Sequence, residues 1–147
     1  MSECSPEVAR PPAEAAPRPR WLDWRGSGCI LVIDDDAAIR SVVARTLTRI
    51  GFTSKPVSDG PEAIALFESD PGIYALVLLD FMLPSMNGAE ILSRLQRLRP
   101  DVRVILMSGL GRHEALSQFG GKGLAGFLQK PFPLDVMVAE LRAALEA

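Results

Sequence analysis

The chain of 147 residues has few cysteines, one histidine and no long apolar run, features on which several protein classes depend. Its two cysteines, Cys4 and Cys29, lie in unlike contexts, a polar stretch and an apolar run, so we expect no disulfide between them. Its one histidine, His113, is expected at the surface rather than as a phosphodonor or metal ligand. No apolar run is long enough to cross a bilayer, and acidic residues and prolines stand where a signal peptide has its apolar core. We therefore expect a cytoplasmic protein with no direct membrane contact.

An excess of positive charge is also missing. Sixteen lysines and arginines stand against 18 acidic residues, which gives a net charge of −2. Nucleic acid and anionic lipid are bound through clustered basic residues, so direct binding to either is disfavoured. The apolar content of 48% and the chain length are enough for one buried core.

The first part of the chain differs in composition from the rest. Residues 1–26 contain five prolines among alanine, glutamate and arginine, a composition that cannot bury a core by itself, and they predict a flexible leader. The cluster at residues 21–24, with two tryptophans, could dock on a neighbour or on the domain itself; we expect a loosely packed linker. Residues 27–147 are predicted to form the folded domain.

Within that domain, short apolar runs alternate with amphipathic helical patterns. Apolar, β-branched runs predict five strands, at residues 29–33, 52–57, 73–79, 102–107 and 124–129, and each precedes a helical pattern. Because crossovers between parallel strands are right-handed and place helices on both faces, the pattern predicts a doubly wound α/β fold. Ligands of such folds bind at the carboxyl ends of the strands.

Polar residues follow the predicted strands at that edge. They are Asp34, Asp35 and Asp36 after the first strand, Asp80 after the third, Ser108 after the fourth and Lys130 after the fifth. Crowded carboxylates repel one another unless a cation neutralises them, and hard oxygen ligands suit Mg²⁺. An aspartate beside such an ion can act as a nucleophile toward phosphorus, because the metal and a lysine spread the developing charge. The residue types therefore fit phosphoryl transfer to an aspartate.

Four stretches in this order closely resemble the response regulator receiver family of two-component signalling, namely residues 30–36, 76–88, 104–109 and 127–132. The resemblance spans residues 28–147, and residues 25–28 and 124–132 look most like receivers of hybrid sensor histidine kinases. It implies a flavodoxin-like (βα)5 receiver fold with strand order 2-1-3-4-5. It also implies a phosphoprotein that works in a phosphorelay and is not an enzyme in its own right.

The resemblance assigns a metal site and an acceptor. Asp34 and Asp35 look like the acidic pair that holds Mg²⁺, and Asp80 looks like the phosphoacceptor and third carboxylate. Met82 matches the position whose backbone carbonyl completes the metal site. Asp36 is expected to cap the first helix instead, since carboxylates favour helix N-termini.

The same resemblance assigns a switch. Ser108 looks like the switch hydroxyl, Lys130 like the lysine that contacts the phosphoryl group, and Phe127 like the switch aromatic. Ser108 stands where threonine is more frequent, and Gly109 gives the following loop more freedom than the usual alanine. Phe127 has no phenol hydroxyl, so packing alone is expected to drive any movement of its ring. The implied partners are a histidine kinase or histidine phosphotransfer protein, an unidentified downstream reader and, in a homodimer, a second copy of the chain.

Two other functions fit parts of the pattern. Asp34 and Asp36 also form the Asp-x-Asp pair of a Mg²⁺-dependent phosphatase of the haloacid dehalogenase type, although the later acidic pair and cap domain of that family are not found. A flavodoxin-like nucleotide or flavin binder would need a phosphate-cradling loop after the first strand, and the sequence has none there.

Overall fold

A computed structural model describes residues 20–119 and 123–146, which form an α/β fold around one sheet. The five strands are all parallel: β1 (Cys29–Ile33), β2 (Thr53–Val57), β3 (Tyr74–Asp80), β4 (Val104–Ser108) and β5 (Gly126–Gln129). Their order in the sheet is β2-β1-β3-β4-β5. The predicted doubly wound fold and its strand order are confirmed.

Five α-helices follow the strands in alternation: α1 (Ala37–Arg49), α2 (Gly60–Ser69), α3 (Gly88–Leu98), α4 (Arg112–Phe119) and α5 (Leu134–Glu146). Short polar side chains begin the first three helices, because they accept the backbone N–H groups that a first turn leaves without a partner. Asp36 accepts from Ala38 and Ile39 in this way, as predicted, and Asp59 and Asn87 cap α2 and α3. Among the described helices, none is long and apolar enough to span a membrane.

Alternate strand residues point to opposite faces of the sheet, and each face builds one half of the core. Leu31 and Leu79 pack with α2, α3 and α4 on one face, whereas Ile30 and Leu78 pack with α1 and α5 on the other. All four side chains are fully buried. This two-sided burial explains why the strands are continuous apolar runs.

Two strands extend one residue further than their apolar runs. The third and fourth strands were predicted over residues 73–79 and 102–107, but they end at Asp80 and Ser108. Asp80 pairs with Met107, and Ser108 pairs with Gln129 on the next strand. Pairing between strands thus carries both polar residues into the sheet, because ladder hydrogen bonds do not depend on apolar side chains.

The segment before β1 packs on the domain over the part that the structure describes. A 3₁₀ helix at Arg20–Asp23 buries Leu22 against the α1 and α5 side of the core, and the Trp24 ring lies 5.8 Å from that of Phe52. The Gly26 N–H donates to the Ile50 carbonyl at 2.8 Å, and a side chain at position 26 would collide with the Phe52 ring. The tryptophan cluster therefore docks on the domain itself. Residues 1–19, and with them Cys4, lie outside the described residues, and the boundary at residue 26 stays a prediction.

Candidate functional site

Three carboxylates converge at the carboxyl edge of the sheet. Asp34 follows β1 and is fully buried, Asp80 ends β3 and is 4% exposed, and Asp35 is exposed to solvent. One oxygen from each of the three lies within 4.8 Å of the others. Parallel strands bring these residues together, although 46 positions separate Asp34 from Asp80 in the chain. Of the predicted carboxylates, Asp36 alone turns away, because it caps α1.

Lys130, directly after β5, reaches into the cluster. Its Nζ donates to Asp34 Oδ2 at 2.7 Å and lies 3.3 Å from Asp80 Oδ1. Burial alone would lower the pKa of Lys130, but the hydrogen bond to Asp34 and the charges of both aspartates outweigh it, so the pKa is raised. The lysine therefore stays an ammonium, and three carboxylates with one ammonium leave two negative charges. A hard divalent cation matches that charge and that oxygen donor set.

The Asp80 carboxyl differs from an ordinary aspartate. Burial, and after it the Asp34 charge, raises the pKa of Asp80 to about 6, although Lys130 and the Met82 N–H act in the opposite direction. Asp80 Oδ1 accepts the Met82 N–H at 3.3 Å in addition to facing Lys130. Among the described residues, nothing bonds to Asp80 Oδ2. A buried carboxylate oxygen without a partner destabilises the fold. Oδ2 is therefore the atom that we expect an electrophile or a cation to bind.

Backbone contacts fix the position of Asp34. Its N–H donates to the Val57 carbonyl of β2 at 3.1 Å, and its Oδ1 accepts the Asp36 N–H at 2.9 Å. The guanidinium of Arg40 in α1 donates to the Asp34 carbonyl at 2.7 Å. Arg40 was missed at the level of sequence, because nothing in its neighbourhood distinguishes it from a surface arginine of an amphipathic helix.

The remaining predicted residues surround the cluster. Ser108 is fully buried at the end of β4, and its Oγ accepts the Leu110 N–H at 2.9 Å. The Ser108 carbonyl accepts the Lys130 N–H at 2.6 Å, which holds the lysine at the strand end. Met82 lies in the loop after β3 and is 69% exposed, and its backbone N–H contacts Asp80. His113 is exposed on α4, as predicted.

Phe127 lies in β5, which β4 separates from the nearest strand of the acidic cluster, β3. Its ring is 6% exposed and packs in the core half that includes α4. The ring is therefore turned toward the sheet in the unmodified chain, and Arg112 lies over it with its guanidinium carbon 5.9 Å from the ring centroid. The sequence pattern did not indicate this arginine.

Residues 30–142 match the family described as "Response regulator receiver domain". The chain belongs to this family. Solved structures agree: the BeF3-activated DrrB receiver domain is 30% identical, with a TM-score of 0.71, over 83% of this chain and all of that one. A CheY-like receiver from Methanospirillum hungatei is 26% identical, with a TM-score of 0.75, over 82% of this chain and 95% of that one.

Longer proteins contain similar segments. The transcriptional regulatory protein TcrA of Mycobacterium tuberculosis is 38% identical over 115 residues, which are 78% of this chain and 44% of that protein. The sensor kinase CckA of Brucella abortus is 30% identical over 124 residues, which are 84% of this chain and 13% of that protein. The chain thus spans less than half of these relatives. Nothing in either comparison supports a haloacid dehalogenase phosphatase.

Proposed function

We propose that this receiver domain accepts a phosphoryl group on Asp80 from the phosphohistidine of a histidine kinase or histidine phosphotransfer protein. One observation carries the proposal. The Asp80 carboxylate is buried at the end of β3, faces the Lys130 ammonium at 3.3 Å and has two more carboxylates beside it. A structural role alone does not account for three crowded acids around one lysine, since their repulsion would destabilise the fold.

The transfer needs one nucleophilic oxygen and a cationic environment. An Asp80 oxygen forms the new bond to phosphorus while the P–N bond of the phosphohistidine breaks, and the electron pair of that bond stays on the imidazole nitrogen. Oδ2 has no other partner among the described residues, so we assign the attack to this atom. The Lys130 ammonium stabilises the charge on the phosphoryl oxygens, and it favours the ionised form of Asp80 by acting against the rise of its pKa.

The carboxylates of Asp34, Asp35 and Asp80, with the backbone carbonyl of Met82, would hold Mg²⁺. Bound there, Mg²⁺ would neutralise charge on the acceptor and on the phosphoryl oxygens. Asp34 is oriented for this by its backbone contacts, whereas Asp35 is exposed and free to turn toward the ion.

Ser108 links the acceptor to the surface. When its hydroxyl turns to donate to a phosphoryl oxygen on Asp80, the Leu110 N–H loses the acceptor that it has at 2.9 Å. The loop from β4 to α4 then rearranges. A partner that contacts the surface of α4, β5 and α5 reads this change, which is a population shift caused by a local charge.

The test is phosphorylation with a small donor. The protein is incubated with acetyl phosphate and Mg²⁺, and intact mass spectrometry measures uptake. We expect the wild type and Asp135→Asn, an exposed aspartate on α5, to gain one phosphoryl group, and Asp80→Asn to gain none. No gain by the wild type, or an equal gain by Asp80→Asn, would refute the proposal.

A further inference from the structure

Phe127 has two specific contacts, one at its backbone and one at its ring. The Phe127 N–H, on the outer edge of β5, donates to Oε1 of Glu140 in α5 at 3.1 Å. This bond fixes the backbone of an edge strand at Phe127. It therefore limits how far the Cα of Phe127, and with it the ring, can shift. The ring itself is 6% exposed and packs in the core beneath α4.

Arg112 supplies the second contact. It is the first residue of α4, and its guanidinium lies over the ring with 5.9 Å between the guanidinium carbon and the ring centroid. Within the described part of the chain, no carboxylate lies within ion-pair distance of Arg112. A cation over an aromatic face at an exposed site contributes about 0.5 to 1 kcal/mol, which changes a conformational ratio about two- to fivefold.

We propose that Arg112 is a positioning residue that holds the Phe127 ring inward in both states of Asp80. The inference rests on the proposed function, because it concerns what phosphorylation of Asp80 leaves unchanged. The cation over the ring comes from α4, and the hydrogen bond of the Phe127 backbone comes from α5; neither contact involves Asp80, Ser108 or Lys130. An added side chain at Gly109 would meet nothing within 4 Å, so the loop after Ser108 has open space in which to rearrange without displacing α4.

The consequence concerns the cleft between α4 and β5. Arg112, Leu116 and residues 124–127 line this cleft. With the Phe127 ring held inward, the ring lines the cleft in the same way before and after phosphorylation. A reader of this face then responds to the loop at residues 109–111 rather than to the aromatic side chain.

Ring exposure at position 127 tests the proposal directly. 4-Fluorophenylalanine is incorporated at this position only, and broadening of its ¹⁹F line by a soluble nitroxide measures exposure with and without acetyl phosphate and Mg²⁺. The variants are Arg112→Gln, which removes the cation, and Arg112→Lys, which keeps it. Arg97→Gln changes an exposed arginine on α3 and serves as the control.

We expect equal, low broadening of the wild type in both states while its mass shows the phosphoryl group. Arg112→Gln should raise the outward population about two- to fivefold, and Arg112→Lys and Arg97→Gln should stay near the wild type. The inference would be overturned if ring exposure in Arg112→Gln equalled that of the wild type, or if Arg112→Lys did not retain low exposure. A wild-type ring whose exposure changes on phosphorylation would overturn it as well. Absence of phosphoryl uptake by the wild type would refute the proposed function instead, and the unphosphorylated variants would still decide the role of Arg112.

Discussion

The raised pKa of Asp80 predicts that this residue destabilises the metal-free domain. The pKa is raised from 3.8 to about 6, and burial is the largest cause. The folded state therefore holds the Asp80 proton more tightly than the unfolded state, and stability falls as pH rises from about 4 through about 6. At 1.36 kcal/mol for each pH unit, the full penalty is about 3 kcal/mol above pH 6.

Replacing Asp80 with asparagine removes the charge and keeps the shape. In EDTA, we expect Asp80→Asn to raise the free energy of unfolding by about 3 kcal/mol at pH 7.5 and by about half of that at pH 5. Lys130 keeps its 2.7 Å bond to Asp34 in this variant, so its ammonium still has a charged hydrogen-bond partner. Urea titrations at several pH values measure both the gain and its slope.

Asp135→Asn is the matched control for the stability measurement. This exposed aspartate lies in the first turn of α5, and its replacement should change the free energy of unfolding by less than about 1 kcal/mol, with little pH dependence. The prediction would be refuted if Asp80→Asn were less stable than the wild type, or if its gain in the free energy of unfolding did not grow with pH. Either result would show that the charge of Asp80 does not destabilise the folded state.

Three further predictions concern the same domain. Mg²⁺ at 100 times its Kd should stabilise the wild type by about 2.7 kcal/mol in urea titrations, and Asp35→Asn should lose most of this gain; equal gains would place the ion elsewhere. Lys130→Gln should slow uptake from acetyl phosphate about 100-fold in a mass-based time course, with folding checked by circular dichroism, and an unchanged rate would remove the lysine from the transfer. Leu22→Ala should lower the free energy of unfolding by about 2 kcal/mol, since Leu22 is 6% exposed, whereas a loosely packed linker would give a change below about 0.5 kcal/mol.

The acidic cluster shows how much of the site the sequence contains. Asp34, Asp80 and Lys130 each follow an apolar run, and parallel strands place their carboxyl ends at one edge of the sheet. This rule needs only the element order, which local patterns determine. For the same reason, the fold class was predictable. The carboxyl ends of the strands differ from the prediction only where ladder pairing continues through Asp80 and Ser108, whereas four strands begin one or two residues later than predicted.

The contacts between distant elements depend on the tertiary structure. Arg40 and Arg112 resemble ordinary surface arginines in the sequence, yet one bonds the Asp34 carbonyl and the other covers Phe127. Leu22 lies in a proline-rich stretch that predicts a loose linker, but the α1 and α5 side of the core buries it. Local patterns record the periodicity of a segment and the propensities of its residues. They do not record which partner a long polar side chain or a short docking segment meets, because that partner is supplied by chain folded from elsewhere.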